Sequence, residues 1–136
     1  MNTAHKTAQA IRIERHLKFR LADALRRLAV LTQRARVKEW DGSGDNTPLS
    51  EGVEAFWAMA EHVSDREATA RLMAKAVELQ SALQRLETGA YGRCLDCGGP
   101  IAPQRLRALP EASRCVTCET RKEVASFPVR SLVQKS

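Results

Sequence analysis

The clearest chemistry in this 136-residue chain belongs to its four cysteines. They form two C-x-x-C pairs, Cys94 with Cys97 and Cys115 with Cys118, and 17 residues separate the pairs. Two thiolates three positions apart on a tight turn can bind one metal ion together, and a second pair completes a tetrahedral shell. We therefore predict one structural Zn²⁺ ion held by Cys94, Cys97, Cys115 and Cys118.

A shell of four thiolates leaves no coordination position for a substrate, so the predicted ion stabilises the fold and does not catalyse a reaction. The segment around the cysteines has too little apolar area to fold alone, and we expect zinc to supply its folding free energy. Structural disulfides are disfavoured by a cytosolic setting, and a redox C-x-x-C needs βαβ surroundings that this sequence lacks. With no nucleophile–base pair visible, we predict no catalytic residues and no enzyme activity.

The positions of glycine and proline indicate the elements that carry these cysteines. Residues 1–41 and 53–88 contain neither residue type, whereas both are frequent after residue 88. This distribution predicts two long helices, at about residues 4–38 and 51–88, joined by a turn-rich loop and followed by a compact module. In the first segment the apolar residues fall on one narrow stripe of a helix, within an arc of about 80°: Ala10, Ile13, Leu17, Leu21, Ala24, Leu28, Leu31 and Ala35.

The second long segment carries two apolar patches that are out of phase with each other. Residues 53–63 hold one patch and residues 72–86 the other, with the polar stretch 64–71 between them. We favour one helix with a shift of register at 64–71, and a broken helix that restarts at Ser64 is the alternative. The narrow stripes predict an all-α fold, in which a long antiparallel coiled-coil hairpin precedes a Cys₄ zinc finger and a short C-terminal helix over residues 119–126.

These patterns give three predicted regions: a helical hairpin at 1–88 with its tip loop at about 39–52, a zinc finger at 89–120, and a tail at 121–136. No stretch approaches the roughly 18 apolar residues of a membrane span, and no apolar signal region follows the first residues. The sequence therefore predicts a cytoplasmic protein without membrane contact, and we expect a monomer.

The sequence around the cysteines resembles the zinc finger of the DksA/TraR family. The shared positions extend over about 28 residues and include the cysteines, Tyr91-Gly92, Gly98, Ile101, Arg105-Leu106, Ala108, Pro110 and Ala112. The long helical hairpin, inferred separately, agrees with that family's architecture. The resemblance implies a transcription factor that binds RNA polymerase directly and inserts its coiled coil into the secondary channel, through which nucleotides reach the active site.

The formal charge of +6 is unevenly distributed along the chain. Residues 1–38 carry a net +8, residues 39–67 a net −7, and residues 68–136 a net +5. The acidic groups therefore cluster at the predicted tip of the hairpin, where they suit a basic pore or the surroundings of a bound Mg²⁺ ion.

The resemblance also implies which tip residues contact the partner. An ungapped count back from the first cysteine places the family's pair of tip acids on Glu51 and Glu54, and Phe56 where the family has a small alanine. We predict partner contacts for Glu51, Glu54 and Phe56, together with Asp45 in the loop. The positions that correspond to the family's basic ppGpp contacts are Glu78, Leu109 and Glu119, which predicts weak or absent ppGpp binding.

A second function remains open from the sequence. The basic side of the first helix could bind phosphate backbones, which would make the chain a nucleic-acid-binding zinc-finger protein. We favour the polymerase-binding hypothesis, under which no direct sequence-specific contact with DNA is expected.

Overall fold

The computed structural model describes residues 7–40 and 51–127. This part of the chain holds four helices: α1 (Ala8–Trp40), α2 (Glu51–Thr88), α3 (Pro103–Ala108) and α4 (Val116–Ser126). The chain divides into two compact units between Ser81 and Ala82, so the last two turns of α2 belong with the cysteine module. The architecture confirms the predicted all-α class, and none of the described helices is long and apolar enough to cross a membrane.

In the first unit α1 and α2 pair in antiparallel directions. Arg34 of α1 forms an ion pair with Glu61 of α2 at 3.7 Å, whereas Arg20, earlier in α1, lies beside Lys75, later in α2. Moving back along α1 therefore moves forward along α2 by the same number of residues, which is the register of a helical hairpin.

The buried residues of this hairpin are those of the predicted stripes. Leu17 and Ala24 are buried in α1, and Ala76 and Leu79 are buried in α2. The other stripe residues up to Leu31 are half-buried, whereas Ala35 is exposed. Burial of aliphatic side chains along one narrow seam is the main stabilising contribution available to two helices with few aromatic residues.

The α2 helix is continuous from Glu51 to Thr88, which supports the shift of register and not the break at Ser64. The stretch 64–71 contains no glycine or proline, so nothing in its backbone stops the helix. The Thr69 hydroxyl donates to the carbonyl of Asp65, a contact that a helix interior accommodates. The first apolar patch of α2 is not part of the seam, since every residue from 52 to 64 is exposed.

Two helices in the second unit differ from the prediction. The α4 helix begins at Val116, three residues before the predicted start, because Cys115 occupies its N-cap position with extended backbone. The α3 helix was not predicted, since prolines at 103 and 110 flank it. Pro103 lies in the first turn of α3. Proline has no backbone N–H, and the N–H groups of a first turn have no acceptor within the helix, so no helical hydrogen bond is lost there.

Candidate metal centre

The four cysteines lie together in the second unit. Their sulfur atoms are all within 4.8 Å of one another, and the Sγ atoms of Cys97 and Cys115 are 3.9 Å apart. Zn–S bonds of about 2.3 Å in a tetrahedral shell require sulfurs about 3.8 Å apart. The donor type, number and spacing therefore fit one structural Zn²⁺ ion with no open position, as predicted from the sequence.

The first C-x-x-C pair is shaped by a tight backbone turn. Residues Arg93 and Pro100 form an isolated antiparallel bridge. Inside it the Cys94 N–H donates to the Gly99 carbonyl at 2.8 Å, and the Gly98 N–H donates to the Cys94 carbonyl at 3.0 Å. Gly98 has a φ of +70°, a conformation that side chains with a Cβ rarely adopt. Gly98 and Gly99 therefore let the chain curl back after the first pair of cysteines.

The second pair is positioned by the start of α4. Cys115 is the N-cap residue of α4, and Cys118 lies in its first turn, where it is buried. The Glu119 N–H donates to the Cys115 carbonyl at 2.9 Å. A helix N-terminus carries partial positive charge, which favours the thiolate form that a metal ion requires.

Without metal, the protein environment affects the thiols unequally. Backbone N–H groups of Cys97, Cys115 and Asp96 lower the pKa of Cys94 to about 6. The side chain of Cys115, burial and the other two sulfurs raise the pKa of Cys118 to about 12. When no metal is bound, the surroundings therefore favour the thiolate at Cys94 and the protonated thiol at Cys118.

A small apolar cluster supports the sulfur atoms. Cys94, Ile101 and Cys118 are buried together, and Leu106 of α3 packs against them. Since this cluster is far smaller than an ordinary domain core, the metal is needed to hold the module together.

Arginines around the centre stabilise its loops and balance its charge. The Arg105 Nε donates to the carbonyl of Arg114 at 3.0 Å. Arg114 in turn bonds the Asp96 carboxylate at 2.8 Å and lies 3.9 Å from a carboxylate oxygen of Glu119. These contacts connect the two C-x-x-C segments from outside the sulfur shell.

Sequence reasoning missed two side chains that attach the end of α2 to the finger. The buried Arg85 donates from Nη1 to the Ala112 carbonyl at 3.2 Å and from Nη2 to the Glu111 carbonyl at 3.1 Å. The Tyr91 hydroxyl donates to the adjacent Pro110 carbonyl at 2.8 Å. Both side chains therefore bind the backbone of residues 110–112. We call these three hydrogen bonds, from Arg85 and Tyr91 to the carbonyls of residues 110–112, the carbonyl clamp.

A glycine turn places Tyr91 next to Arg85. The Ala90 N–H donates to the Arg85 carbonyl at 2.8 Å and the Gly89 N–H to the Leu86 carbonyl at 3.4 Å, the two bonds of a Schellman motif. Gly89 has the positive φ, +78°, that this helix ending requires. Burial lowers the pKa of Arg85 and raises the pKa of Tyr91, consistent with two polar groups held in an apolar surrounding.

The predicted tip residues that the structure describes belong to the first unit, whereas the metal centre belongs to the second. Glu54 is exposed, and Phe56 is exposed over 66% of its surface. The Phe56 ring contacts that of Trp57 edge-to-face, with centroids 5.9 Å apart. Glu51 is the first residue of α2, and its side chain lies outside the described part of the chain, as does Asp45.

Comparisons with known proteins agree with this module. Residues 89–124 match the family model of the prokaryotic dksA/traR C4-type zinc finger. The RNA polymerase-binding transcription factor DksA of Haemophilus influenzae is 35% identical over 60 residues, which cover 44% of this chain and 39% of that protein. The match thus spans well under half of the relative's length.

A solved structure extends the likeness in fold. The transcription factor DksA2 from Pseudomonas aeruginosa superposes with a TM-score of 0.66, covering 92% of each chain at 21% identity. At that identity the superposition shows a shared fold. The matched zinc finger bears out the resemblance of the cysteine module to that of the DksA/TraR family.

Proposed function

We propose that this DksA/TraR-related chain is a transcription factor that binds RNA polymerase and inserts the acidic end of its hairpin into the secondary channel. The family relationship of the zinc module supports the general function. The printed name of the Haemophilus influenzae relative describes a protein that binds RNA polymerase. That relative and the fold match are named as transcription factors, which favours a non-enzymatic role for this chain.

The observation that carries the proposal is the exposed start of α2. All residues from 52 to 64 are exposed, among them Phe56 and Trp57. Between residues 52 and 67 four acids outnumber the single base Arg66, for a net charge of −3. A helix that presents acids and large apolar side chains without burying them against its own chain suits a basic, partly apolar partner surface.

The alternative, nucleic-acid binding by the basic side of α1, is weakened by ion pairs. Lys18 bonds Glu14 at 2.8 Å, and Arg27 bonds Asp23 at 3.0 Å. Arg34 pairs with Glu61 across the hairpin at 3.7 Å. Each pair reduces the charge that a phosphate backbone would meet, and counterion release depends on that charge.

The proposal is tested with purified polymerase and the full zinc-loaded chain. We expect the double variant Glu51→Lys, Glu54→Lys to lose at least about tenfold in polymerase affinity, because two charge reversals oppose a basic channel. Transcription from a defined promoter should lose the effect of the chain in parallel.

The matched control reverses two exposed acids outside the tip, Glu87→Lys and Glu123→Lys, with the same change in net charge. It should retain polymerase binding within about threefold if charge at the tip is responsible. Equal losses in both double variants would contradict the tip assignment. Salt-sensitive binding to duplex DNA without any binding to polymerase would favour the nucleic-acid alternative.

A further inference from the structure

The α2 helix carries apolar residues on two sides, and the seam with α1 uses one of them. Ala76 and Leu79 are buried on the side of the seam. A second row lies about 140° around the helix, within an arc of about 100°. We call this row the outer stripe: Phe56, Met59, Val63, Arg66, Ala70, Met73 and Val77. Its steps alternate between three and four residues, which is the spacing of a coiled-coil seam.

Every residue of the outer stripe is exposed. Its large apolar side chains keep between 51% and 70% of their surface accessible, so no described part of the chain buries them. Met59 and Met73, the two methionines after the first residue, both lie on it. Methionine adapts its shape to a partner and is frequent on binding surfaces. A continuous exposed row of this kind marks an interaction surface.

The charges in and beside the outer stripe suit a second copy of the same stripe running in the opposite direction. Its one charged member is Arg66, and Glu67 follows directly. The midpoint of the stripe, between Phe56 and Val77, falls between these two residues. An antiparallel pair centred there places Arg66 of each copy beside Glu67 of the other, whereas a parallel pair places Arg66 against Arg66. Charge complementarity therefore favours the antiparallel pair.

Small flanking residues and a preformed helix favour the same contact. Ala60 and Ala74 each directly follow a residue of the stripe and are exposed, so two helices can approach closely. Because α1 already packs on the other side of α2, the helix does not have to fold on association, which lowers the entropic cost. The stripe spans about 32 Å and is about 10 Å wide. This is small for a specific interface, so we expect a reversible contact.

We propose that the outer stripe is the interface of a reversible homodimer, in which two α2 helices pack antiparallel with Arg66 and Glu67 at the two-fold axis. The monomer expected from the sequence is then the form at low concentration. The dimer covers Phe56, so self-association and the proposed insertion of the tip into polymerase exclude each other. Because the dimer is measured without polymerase, its failure would leave the proposed function intact.

The test is sedimentation of the full zinc-loaded chain between about 5 and about 500 µM, where we expect a concentration-dependent equilibrium of monomer and dimer. The double variant Val63→Lys, Met73→Lys should weaken association by at least about tenfold, because each substitution occurs twice in a two-fold interface. The matched control is Val30→Lys with Val37→Lys, which changes two comparably exposed valines of α1. It should associate within about threefold of the parent chain.

Reversed charges test the direction of the two helices. Arg66→Glu alone and Glu67→Arg alone should each weaken an antiparallel dimer by about threefold or more, because like charges then meet at the axis. The double variant that exchanges both charges should restore association, since opposite charges meet again at an unchanged net charge.

The unmodified chain provides a test that does not depend on the folding of any variant. On dilution its backbone amide shifts should change mainly over residues 56–77. A chain that stays monomeric at every concentration, or equal losses in the α1 control, would overturn the dimer. Protection of the stripe by polymerase, in a chain that does not associate with itself, would assign the stripe to polymerase and overturn it as well. Unchanged association in both single charge variants would overturn the antiparallel arrangement.

Discussion

The carbonyl clamp predicts that Arg85 contributes strongly to zinc binding, although it has no contact with a sulfur atom in the described structure. The informative substitution is Arg85→Met, which keeps an unbranched side chain and removes the donors. The carbonyls of Glu111 and Ala112 then lose their bonds of 3.1 and 3.2 Å to the guanidinium. Arg85 is only 8% exposed, so water cannot easily replace it.

The size of the effect follows from the number of bonds lost. Hydrogen bonds from a charged donor contribute about 1.5–3 kcal/mol each to stability. The variant no longer buries a guanidinium, and the desolvation free energy that it avoids offsets part of the loss of the two hydrogen bonds. We expect a net loss of about 3 kcal/mol. Because folding of the small module is coupled to metal binding, this loss becomes a reduction of roughly 100-fold in apparent zinc affinity.

The assay is competition for zinc between the full chain and a chromophoric chelator at fixed pH. Arg107→Met is the matched control, since Arg107 is exposed on α3 of the same module, and its zinc affinity should stay within about threefold of the parent chain. Zinc binding by Arg85→Met within threefold of the parent chain would refute this role of Arg85. Thermal unfolding of α1, followed by probes in the first unit, should change much less.

Two further predictions concern the turn after α2 and the thiols. Gly89→Ala should destabilise the chain by about 1–2 kcal/mol in thermal unfolding, because a residue with a Cβ is strained at a φ of +78°. The added Cβ would meet no atom within 4 Å, so backbone strain is the whole of the expected effect. Gly52→Ala, equally free of neighbours but helical, should change stability by less than about 1 kcal/mol in the favourable direction. Zinc affinity should rise with pH through neutrality, because the raised pKa of Cys118, about 12, means that its proton must leave on binding. Below about pH 6 the Cys94 thiolate also takes up a proton, so affinity measured by chelator competition should fall more steeply there.

The sequence was sufficient for the parts of the fold that depend on periodicity and spacing. Leu17, Ala24, Ala76 and Leu79 lie on the predicted stripes and are buried. The metal centre was predictable because the thiolate pairs and Gly98 are local signals that specify one turn geometry. The tip assignment came from the family resemblance, and it remains a prediction.

Other features depend on contacts between residues far apart in sequence. Arg85 is 26 and 27 residues from the carbonyls it binds, and an arginine near a helix end is usually read as a surface residue. The register of the hairpin likewise brings Phe19 of α1 and Lys75 of α2 to one groove between the two helices. The stripe alone does not fix that register, since a displacement of one helical turn would still bury aliphatic residues.

The buried residues of α2 change in character along the helix. Ala76, Leu79, Ala82 and Arg85 are buried at successive intervals of three residues. Because three residues turn a helix by about 300°, each lies about 60° around the helix from the one before, and Arg85 lies on the side opposite Ala76. The first two pack in the aliphatic seam, where apolar contact is sufficient. At residue 85 the surroundings are the Glu111 and Ala112 carbonyls, which require donors that leucine or alanine cannot supply. A guanidinium at this position therefore satisfies the backbone of the finger, whereas a leucine there would preserve the helix but leave two buried acceptors unbonded.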